Sequence, residues 1–428
     1  MRIQEFLNIV GANWQIYIIS IALSLILLFP IYRKYVRSVM DPLFVVLFGS
    51  IFANAVPFFL FFMGLMSFVN FEIFLIIELA FWIGFSLNKR QDNEFFLKKE
   101  IIVSENVQYR FFLISFFICF IFQAIYYAQQ GFVVQMVSKL DKYTNAASGL
   151  GIFERFSFFL KIYCTIYSIS NLKSANIIYR LWSYLFVVYL IITLVLSGAK
   201  GALMYLIYIY FYVQYFIKRV AINKKTIVIF FVAAVLIGFI TLSLNFYFLG
   251  EDDYSMAFYT LFRRVIMYGD IYYECYVDDI IDQVTINHLS NDLLVPILAP
   301  FRLMNYTDIQ DLTPSIQVHN VIYPELIDVN VGPNNRNPFL FYVYFGPSLG
   351  VLFALIIGFL TSKILFGCLL YTNRNIFSLT IYIGLSLSAV YFVTDYTLGI
   401  ANMITVIFGY LFYKAIMMAV IPKYHKQN

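Results

Sequence analysis

The chain has 428 residues, 62% hydrophobic and only 12% charged, with a net charge of +5 and a mean hydropathy of +0.80. A soluble chain carries about 25% charged residues, so this composition excludes an ordinary soluble domain. The small positive excess needs no nucleic acid; basic residues retained on one membrane face are enough to produce it.

Hydrophobic runs fall at about 13–32, 42–69, 71–88, 110–128, 156–172, 181–198, 201–217, 226–249, 346–366, 376–395 and 397–421. Each approaches or exceeds the ~20 residues that cross a bilayer as a helix. The expected fold is an all-α polytopic integral membrane protein with about eleven transmembrane helices, within a range of ten to twelve. Pro57 is expected to kink the second run, and the long last run can tilt. The run Ile16–Ile31 leads straight into "RKYVR" without a small-residue cleavage site, so a cleavable signal peptide is not expected.

Orientation follows from Lys and Arg in the short connections. With Arg33, Lys34 and Arg37 inside, alternate connections carry Lys89, Arg90, Lys98, Lys99 and Arg110, then Lys173 and Arg180, then Lys218, Arg219, Lys224 and Lys225, then Lys363 and Arg374. Lys414, Lys423 and Lys426 close the series. Every alternation agrees, which places the N-terminus outside and the C-terminus inside. The chain then divides into a block of about eight helices over 1–249, a large extracytoplasmic loop over 250–338, and a block of about three helices over 339–428. A smaller external loop covers 129–155.

The long loop is too rich in Tyr, Ile, Leu and Phe to be a solvating tail. Ser255–Ile281 has a helical pattern with Phe258, Leu261, Phe262, Val265 and Tyr272 on one side. Asp270, Glu274 and Asp278 follow at four-residue steps on another. Arg263 and Arg264 make it a poor span, and a helix lying in the interface fits better. Pro296, Pro300, Pro314, Pro324 and Pro333 break the remainder into short pieces. "NPFLFYVYFG" reads as a second short interfacial helix leading into the next span.

Basic residues on the outer face run against the charge bias, so the anion they meet matters. Arginine suits phosphate because its planar fork binds two oxygens together. Snorkelling, or pairing with a loop acid, is the alternative for any one of them. Lys200 sits in the tight turn "SGAKG", where small residues let backbone approach a ligand. Arg336 lies in "GPNNRNPF", a Gly/Pro/Asn turn that aims its fork along the membrane surface. His319 in "VHNVIYPE" can act as base, acid or donor near neutral pH, or simply pack the loop. The runs Glu251–Asp253 and Asp278, Asp279 and Asp282 are acidic enough to consider a divalent metal, but a solvated helix end is the commoner use, and no metal is assigned. Among acids in the runs, Glu78 alone is deep. Cys119, Cys164, Cys275 and Cys368 are too scattered for a disulfide framework.

Two stretches carry a family resemblance. "LSGAKGALM" is similar to the "SGSRGALL"-like turn of Wzy-type O-antigen or oligosaccharide repeat-unit polymerases, with Lys200 where Arg is usual. "HNVIYPE" and "NNRNPFLFYVYFGPSLGVL" resemble the stretch where that family's large loop re-enters the membrane. The topology, with a short outer loop in the first half and a large one in the second, is also similar. The resemblance implies a glycosyltransferase of the bacterial cytoplasmic (inner) membrane with its site facing the exterior. It would move a growing glycan from undecaprenyl diphosphate onto a sugar hydroxyl of the next lipid-linked unit, without a metal or other cofactor. Arg336, Lys200 and His319 are the catalytic candidates. Arg263, Arg264, Arg155, Lys142, Asn320 and Glu325 are the substrate-binding candidates, with Glu325 the second choice of base. Implied partners are the lipid-linked donor and acceptor, the bilayer and a chain-length regulator protein. An O-antigen ligase shares this architecture. A lipid-linked oligosaccharide flippase is the alternative of a different class, and it would want an internal repeat and several charges at mid-depth.

Overall fold

The computed structural model describes residues 1–130, 151–196, 202–220, 223–229, 267–285, 313–329 and 332–421, with isolated positions 232, 235, 236, 239, 294 and 298. In chain order its helices are α1 (Ile3–Ala12), α2 (Trp14–Tyr35), α3 (Pro42–Phe62), α4 (Phe68–Ser86), α5 (Asp92–Leu97), α6 (Glu105–Gln130) and α7 (Gly151–Asn171). There follow α8 (Ile177–Leu196), α9 (Ala202–Tyr212), α10 (Asp270–Cys275), α11 (Pro314–Ile322), α12 (Asn337–Phe366), α13 (Ile376–Ala389) and α14 (Tyr396–Val420). Among the described residues, extended pairing is confined to an isolated bridge between Glu100 and Arg374.

The protein is all-α and built for a membrane. Among the described residues, seven helices are long and apolar enough to cross one: α2, α3, α4, α6, α12, α13 with its continuation to Val393, and α14. Of the other four expected runs, 156–172 forms α7, which carries Glu154, Arg155 and Lys161. The run 181–198 forms α8, and 201–217 forms α9 followed by the π-turn Val213–Lys218. The run 226–249 lies largely outside the described residues. Pro57 is buried inside α3, which spans it without interruption. Helix α1 precedes the first run and had no counterpart in the hydropathy pattern.

Local chemistry sets the helix starts. The Asp41 carboxylate accepts from the Leu43 amide at 3.0 Å, and Pro42 fills the first helical position of α3. Ser67 caps α4 through the Asn70 amide at 3.2 Å. Within the apolar helices, hydroxyls return to their own backbone, as Thr361 does to the Ile357 carbonyl at 2.7 Å.

Packing gathers the chain into two compact units. The first is Met1–Arg90, Tyr259–Gly367 and Ala389–Ala401; the second is Gln91–Phe258, Cys368–Ser388 and Asn402–Asn428. In the first unit α4 and α12 form the most extensive helix pair. Ile77 meets Gly350, Phe81 meets Gly358, and the Asn88 amide donates to the Phe359 carbonyl at 3.1 Å. The partners advance together along both chains, so the two helices run parallel. Lipid is as apolar as a leucine, so helices in a membrane gain little by hiding hydrophobes from it; close backbone approach supplies the contact energy instead. Gly84 and Gly358 provide that approach. A Cβ on Gly84 would fall on the Leu355 carbonyl oxygen, and one on Gly358 on that of Phe81.

The C-terminal ends of α2 and α4 meet where the Tyr35 hydroxyl donates to the Ser86 and Asn88 carbonyls at 3.1 and 2.7 Å. Tyr35 also packs on Phe366 at the end of α12, and the Arg37 guanidinium lies over the same ring at 5.2 Å. One end of this unit therefore collects a basic set that includes Arg33, Lys34, Arg37, Lys89, Arg90 and Lys363. At the opposite end of α3 and α4 sit α1, α10 and α11. Phe6 stacks on Tyr273 at 4.4 Å and meets Phe59 edge-on.

The second unit packs α6, α7, α8 and α9 with α13 and most of α14. Tyr163 donates to the Gln108 carbonyl at 3.0 Å and stacks on Phe377. Lys98 is held by the carbonyls of Leu370 and Thr372, and Arg374 donates to the Lys98 carbonyl at 2.9 Å.

The glycine pair is open to test. Gly84→Ala and Gly358→Ala each force α4 and α12 apart, at about 1–3 kcal/mol for overpacking. Thermal unfolding of the detergent-solubilised protein should show both losses, and less than their sum in the double variant because they relieve the same contact. A Gly358→Ala melting curve equal to that of the wild type would refute the close approach.

Candidate functional site

The described part of the 250–338 segment lies in the first unit, and its placement begins on α3. Tyr268 presses its ring on Gly49, where a Cβ would lie 2.6 Å from Cε1. The next residue, Gly269, sits so close to the Ala53 carbonyl oxygen that a Cβ there would be 2.7 Å from it. A residue without a side chain is what this entry permits. From there α10 starts, and Ile271, Tyr272, Tyr273, Glu274 and Cys275 are all buried. This corrects the expectation of one interfacial helix over Ser255–Ile281. Its described part is packed inside the protein and ends at Asp278 and Asp279, whose φ values of 57° and 50° are left-handed. The Asp270, Glu274, Asp278 stripe therefore stops at Glu274. Asp279 instead accepts from the Asn70 amide at 3.1 Å.

Asp270 and Glu274, one turn apart, tie two strips of chain together. Asp270 accepts from the Asn334 backbone N–H at 3.1 Å and from its side-chain amide at 3.0 Å. This fixes the turn that carries Arg336. Glu274, only 4% exposed, has an oxygen 3.4 Å from Nδ1 of His319 on α11. The His319 ring also packs on Tyr323 at 4.6 Å. Tyr323 in turn accepts from the Ile3 amide at 3.0 Å, anchoring α1.

Arg336 is 5% exposed. Its Nη2 donates to the Tyr268 carbonyl at 2.7 Å, and its guanidinium lies 4.9 Å over the Tyr268 ring. Its Nε is buried with no hydrogen-bond partner among the described residues. The residue after it is a latch. Asn337 donates from its backbone to the Thr394 carbonyl at 2.9 Å and from Nδ2 to the Phe392 carbonyl at 2.7 Å. Its Oδ1 accepts from the Tyr396 amide at 2.9 Å. "NPFLFYVYFG" does form a short helix at the head of α12, broken from the span at Gly346 (φ 69°, ψ −177°). It is not a surface helix, because Asn337 to Phe341 are buried.

Burial pushes the Asp270 carboxyl up to about 7, with the negative charge of Glu274 adding to it. The Arg336 guanidinium and the hydrogen bonds from Asn334 and Ile271 pull the other way without cancelling it. Burial likewise raises the phenols of Tyr272 and Tyr276 well above their usual range.

The structure thus brings Arg336 and His319 into one unit, joined through Asp270 and Glu274 of a single short helix. Asn320, beside His319, keeps a buried Oδ1 without a partner among the described residues. Glu325 lies on the surface in an ion pair with Arg2 at 3.1 Å, both side chains about half exposed. Arg155 belongs to the second unit, where it donates to the Thr405 hydroxyl at 2.9 Å. Lys142, Lys200, Arg263 and Arg264 lie outside the described residues. Among the described residues, no group of three or more His, Cys, Asp or Glu side chains is placed to hold a metal ion. An open cleft of about 170 Å3 in the second unit, lined by Glu100–Val103 and Arg374–Ile376 among others, holds none of the sequence-derived candidates.

Comparison with protein-family models, with curated proteins and with solved structures returned no match.

Sequence reading had singled out Asp270 and Glu274 only as a stripe on a helix, not as site residues. The four-residue spacing was the available signal; their partners, 64 and 45 positions away, were not.

Asp270 gives a pH dependence with a definite sign. Its carboxyl titrates higher in the folded chain than in the unfolded one, so the folded state binds more protons between about pH 4 and 7. Its contribution to stability is therefore present below about pH 4 and is lost as pH rises to about 7. Asp270→Asn should flatten that part of the stability profile, read as melting temperature between about pH 4 and 7. An unchanged slope in the variant would remove Asp270 as its source.

Proposed function

We propose that the protein is a polysaccharide polymerase: a glycosyltransferase that joins undecaprenyl-diphosphate-linked oligosaccharide repeat units on the external face of a bacterial cytoplasmic membrane. The observation that carries this reading is the pairing of a buried cation and a carboxylate-oriented imidazole through one helix. Arg336 and His319 are bridged by Asp270 and Glu274 at the same end of a unit built from apolar helices.

The chemistry divides between the two residues. The donor already carries its leaving group, so the protein's task is to stabilise departing diphosphate and to accept the proton of the attacking hydroxyl. Arg336 is the cation for the diphosphate. Glu274 at Nδ1 of His319 favours a proton on that nitrogen and leaves Nε2 to take the hydroxyl proton. In the balanced step, the acceptor sugar oxygen bonds to the anomeric carbon and the bond to the diphosphate oxygen breaks. The hydroxyl proton passes to His319, and undecaprenyl diphosphate leaves. Asn320, next to His319 and with a buried oxygen that has no partner among the described residues, is suited to hold a sugar hydroxyl. Lys200, Arg263, Arg264 and Lys142 remain proposed phosphate contacts from the sequence, and a chain-length regulator a proposed partner.

Sidedness is supported by the first unit, where Arg33, Lys34, Arg37, Lys89, Arg90 and Lys363 collect at the end opposite α1, α10 and α11. That separation is what positive-inside retention of the basic end would produce. An O-antigen ligase of the same architecture would use the same groups with a different acceptor, and product analysis separates the two.

In cells lacking their own polymerase, the wild-type chain should restore a ladder of long glycans. Arg336→Ala should abolish it while the protein still inserts, and Glu274→Gln should shorten it. A reporter fused after Asp308 should be active only outside the cytoplasm. A wild-type ladder from Arg336→Ala removes that residue from the site, and cytoplasmic activity of the fusion overturns the orientation.

A further inference from the structure

Two contacts set where the imidazole of His319 points. One is Glu274 on α10, at Nδ1; the other is the ring of Tyr323, which ends α11 one turn later. The Tyr323 backbone stays with that turn, its N–H donating to the His319 carbonyl at 2.8 Å. Its side chain is held from a different part of the chain. The hydroxyl accepts from the Ile3 backbone N–H at 3.0 Å, and the Arg2 guanidinium lies 5.3 Å over the ring. Arg2 also pairs with Glu325, but both side chains are about half exposed, and an ion pair in that setting contributes little. The Ile3 bond is the firmer of the two holds.

Ile3 opens α1, and the first N–H groups of a helix have no acceptor within it. Glu5 takes the Arg2 N–H at 2.9 Å, and Tyr323 takes that of Ile3. The helix is amphipathic: Phe6 and Val10, one turn apart, are buried, while Gln4, Glu5 and Asn8 are exposed. Phe6 stacks on Tyr273, the residue before Glu274, with the two ring planes 15° apart. One short helix therefore touches both sides of the Glu274–His319 contact, beside the acid through Phe6 and beside the imidazole through Ile3 and Tyr323. The start of α11 is fixed separately, by Gln317, which exchanges two hydrogen bonds with the Thr285 backbone at 3.0 and 2.9 Å. At the end of α11, the polar hold besides Glu274 is the one from α1.

We propose that Tyr323 is a positioning residue for His319 and that α1 sets it: the Ile3 N–H fixes the phenol, and the phenol ring keeps the imidazole against Glu274. Neither Ile3 nor Tyr323 needs to touch substrate. The effect on transfer rests on the polymerase reading; the hold on the imidazole does not.

The test therefore has two arms on the full-length protein in detergent. The first measures acylation of His319 by diethylpyrocarbonate, read at that residue by peptide mass spectrometry. With its side chain only 13% exposed and one face covered by Tyr323, His319 should react slowly in the wild type. Tyr323→Phe keeps the ring and removes the hydroxyl. Ile3→Pro removes the N–H that the hydroxyl accepts. Proline suits the first position of a helix, and Arg2 already has the extended backbone (φ −73°, ψ 152°) that a following proline needs. Each variant should raise the rate about fivefold, the equivalent of one neutral hydrogen bond. The double variant should add little, because both changes remove the same bond. Ile3→Ala keeps the N–H and should stay within about twofold of the wild type. The second arm measures glycan transfer from a lipid-linked donor. Tyr323→Phe should lower kcat about fivefold, with KM for the donor little changed.

Unchanged His319 reactivity in both Tyr323→Phe and Ile3→Pro overturns the positioning role, whatever the transfer assay shows. Rate increases that multiply in the double variant overturn it as well, and so does an Ile3→Ala rate equal to that of Ile3→Pro. Raised reactivity together with no glycan transfer by the wild type keeps the hold on the imidazole and rejects the polymerase reading.

Discussion

A nearly buried guanidinium sets the terms for the first unit. Arg336 has five N–H donors to satisfy and a charge to neutralise, at a position only 5% exposed. The Tyr268 carbonyl and ring answer part of this demand, which requires Tyr268 to be pressed on α3 at Gly49. The turn that carries Arg336 must be held still, which Asp270 does through Asn334. The head of α12 must also be fixed, which the Asn337 latch does through the chain at Phe392–Tyr396. Each of these contacts spans tens to hundreds of positions in sequence, yet all serve one side chain.

The membrane helices make that arrangement possible by a different physics. Parallel packing of α4 on α12 depends on backbone contact at Gly84 and Gly358, since lipid removes most of the hydrophobic incentive. A tight pair of this kind is stiff, and it carries Glu78 on one member and Arg336 at the head of the other. On the reading proposed for this protein, stiffness matters because a donor held a fraction of an ångström out of line loses much of its rate. The short helix α10 then adds what the bundle lacks, two carboxylates one turn apart with different partners. Asp270 steadies the cation, and Glu274 orients the imidazole.

Much of this was legible in the sequence where the signal is local. The apolar runs predicted α2, α3, α4, α6, α13 and α14 closely. The Gly/Pro/Asn content of "GPNNRNPF" marked a turn at Arg336, and "NPFLFYVYFG" read as a short helix distinct from the span that follows it. Other features were not legible, for stated physical reasons. A buried helix and an interfacial one show the same spacing of acids, so the stripe of Asp270 and Glu274 does not reveal their burial. The left-handed residues Asp278 and Asp279 look like any acidic pair until their backbone is seen. The partners of Glu78 are Asn54 on a neighbouring helix and Trp82 on its own next turn, and hydropathy reports only that an acid lies in a greasy run. Helix α1 is short and mixed, and it is held by Tyr323 and Tyr273, which lie more than 260 positions away.

The break at Gly346 has a mechanical consequence. Its backbone occupies a region that is essentially closed to residues with a side chain, and nothing crowds it. The head of α12 is bolted to the protein by Asn337, while the rest of the helix lies in the apolar layer. A membrane helix changes its tilt when bilayer thickness changes. The bend at Gly346 therefore lets the buried head and the membrane-spanning part of α12 take different directions.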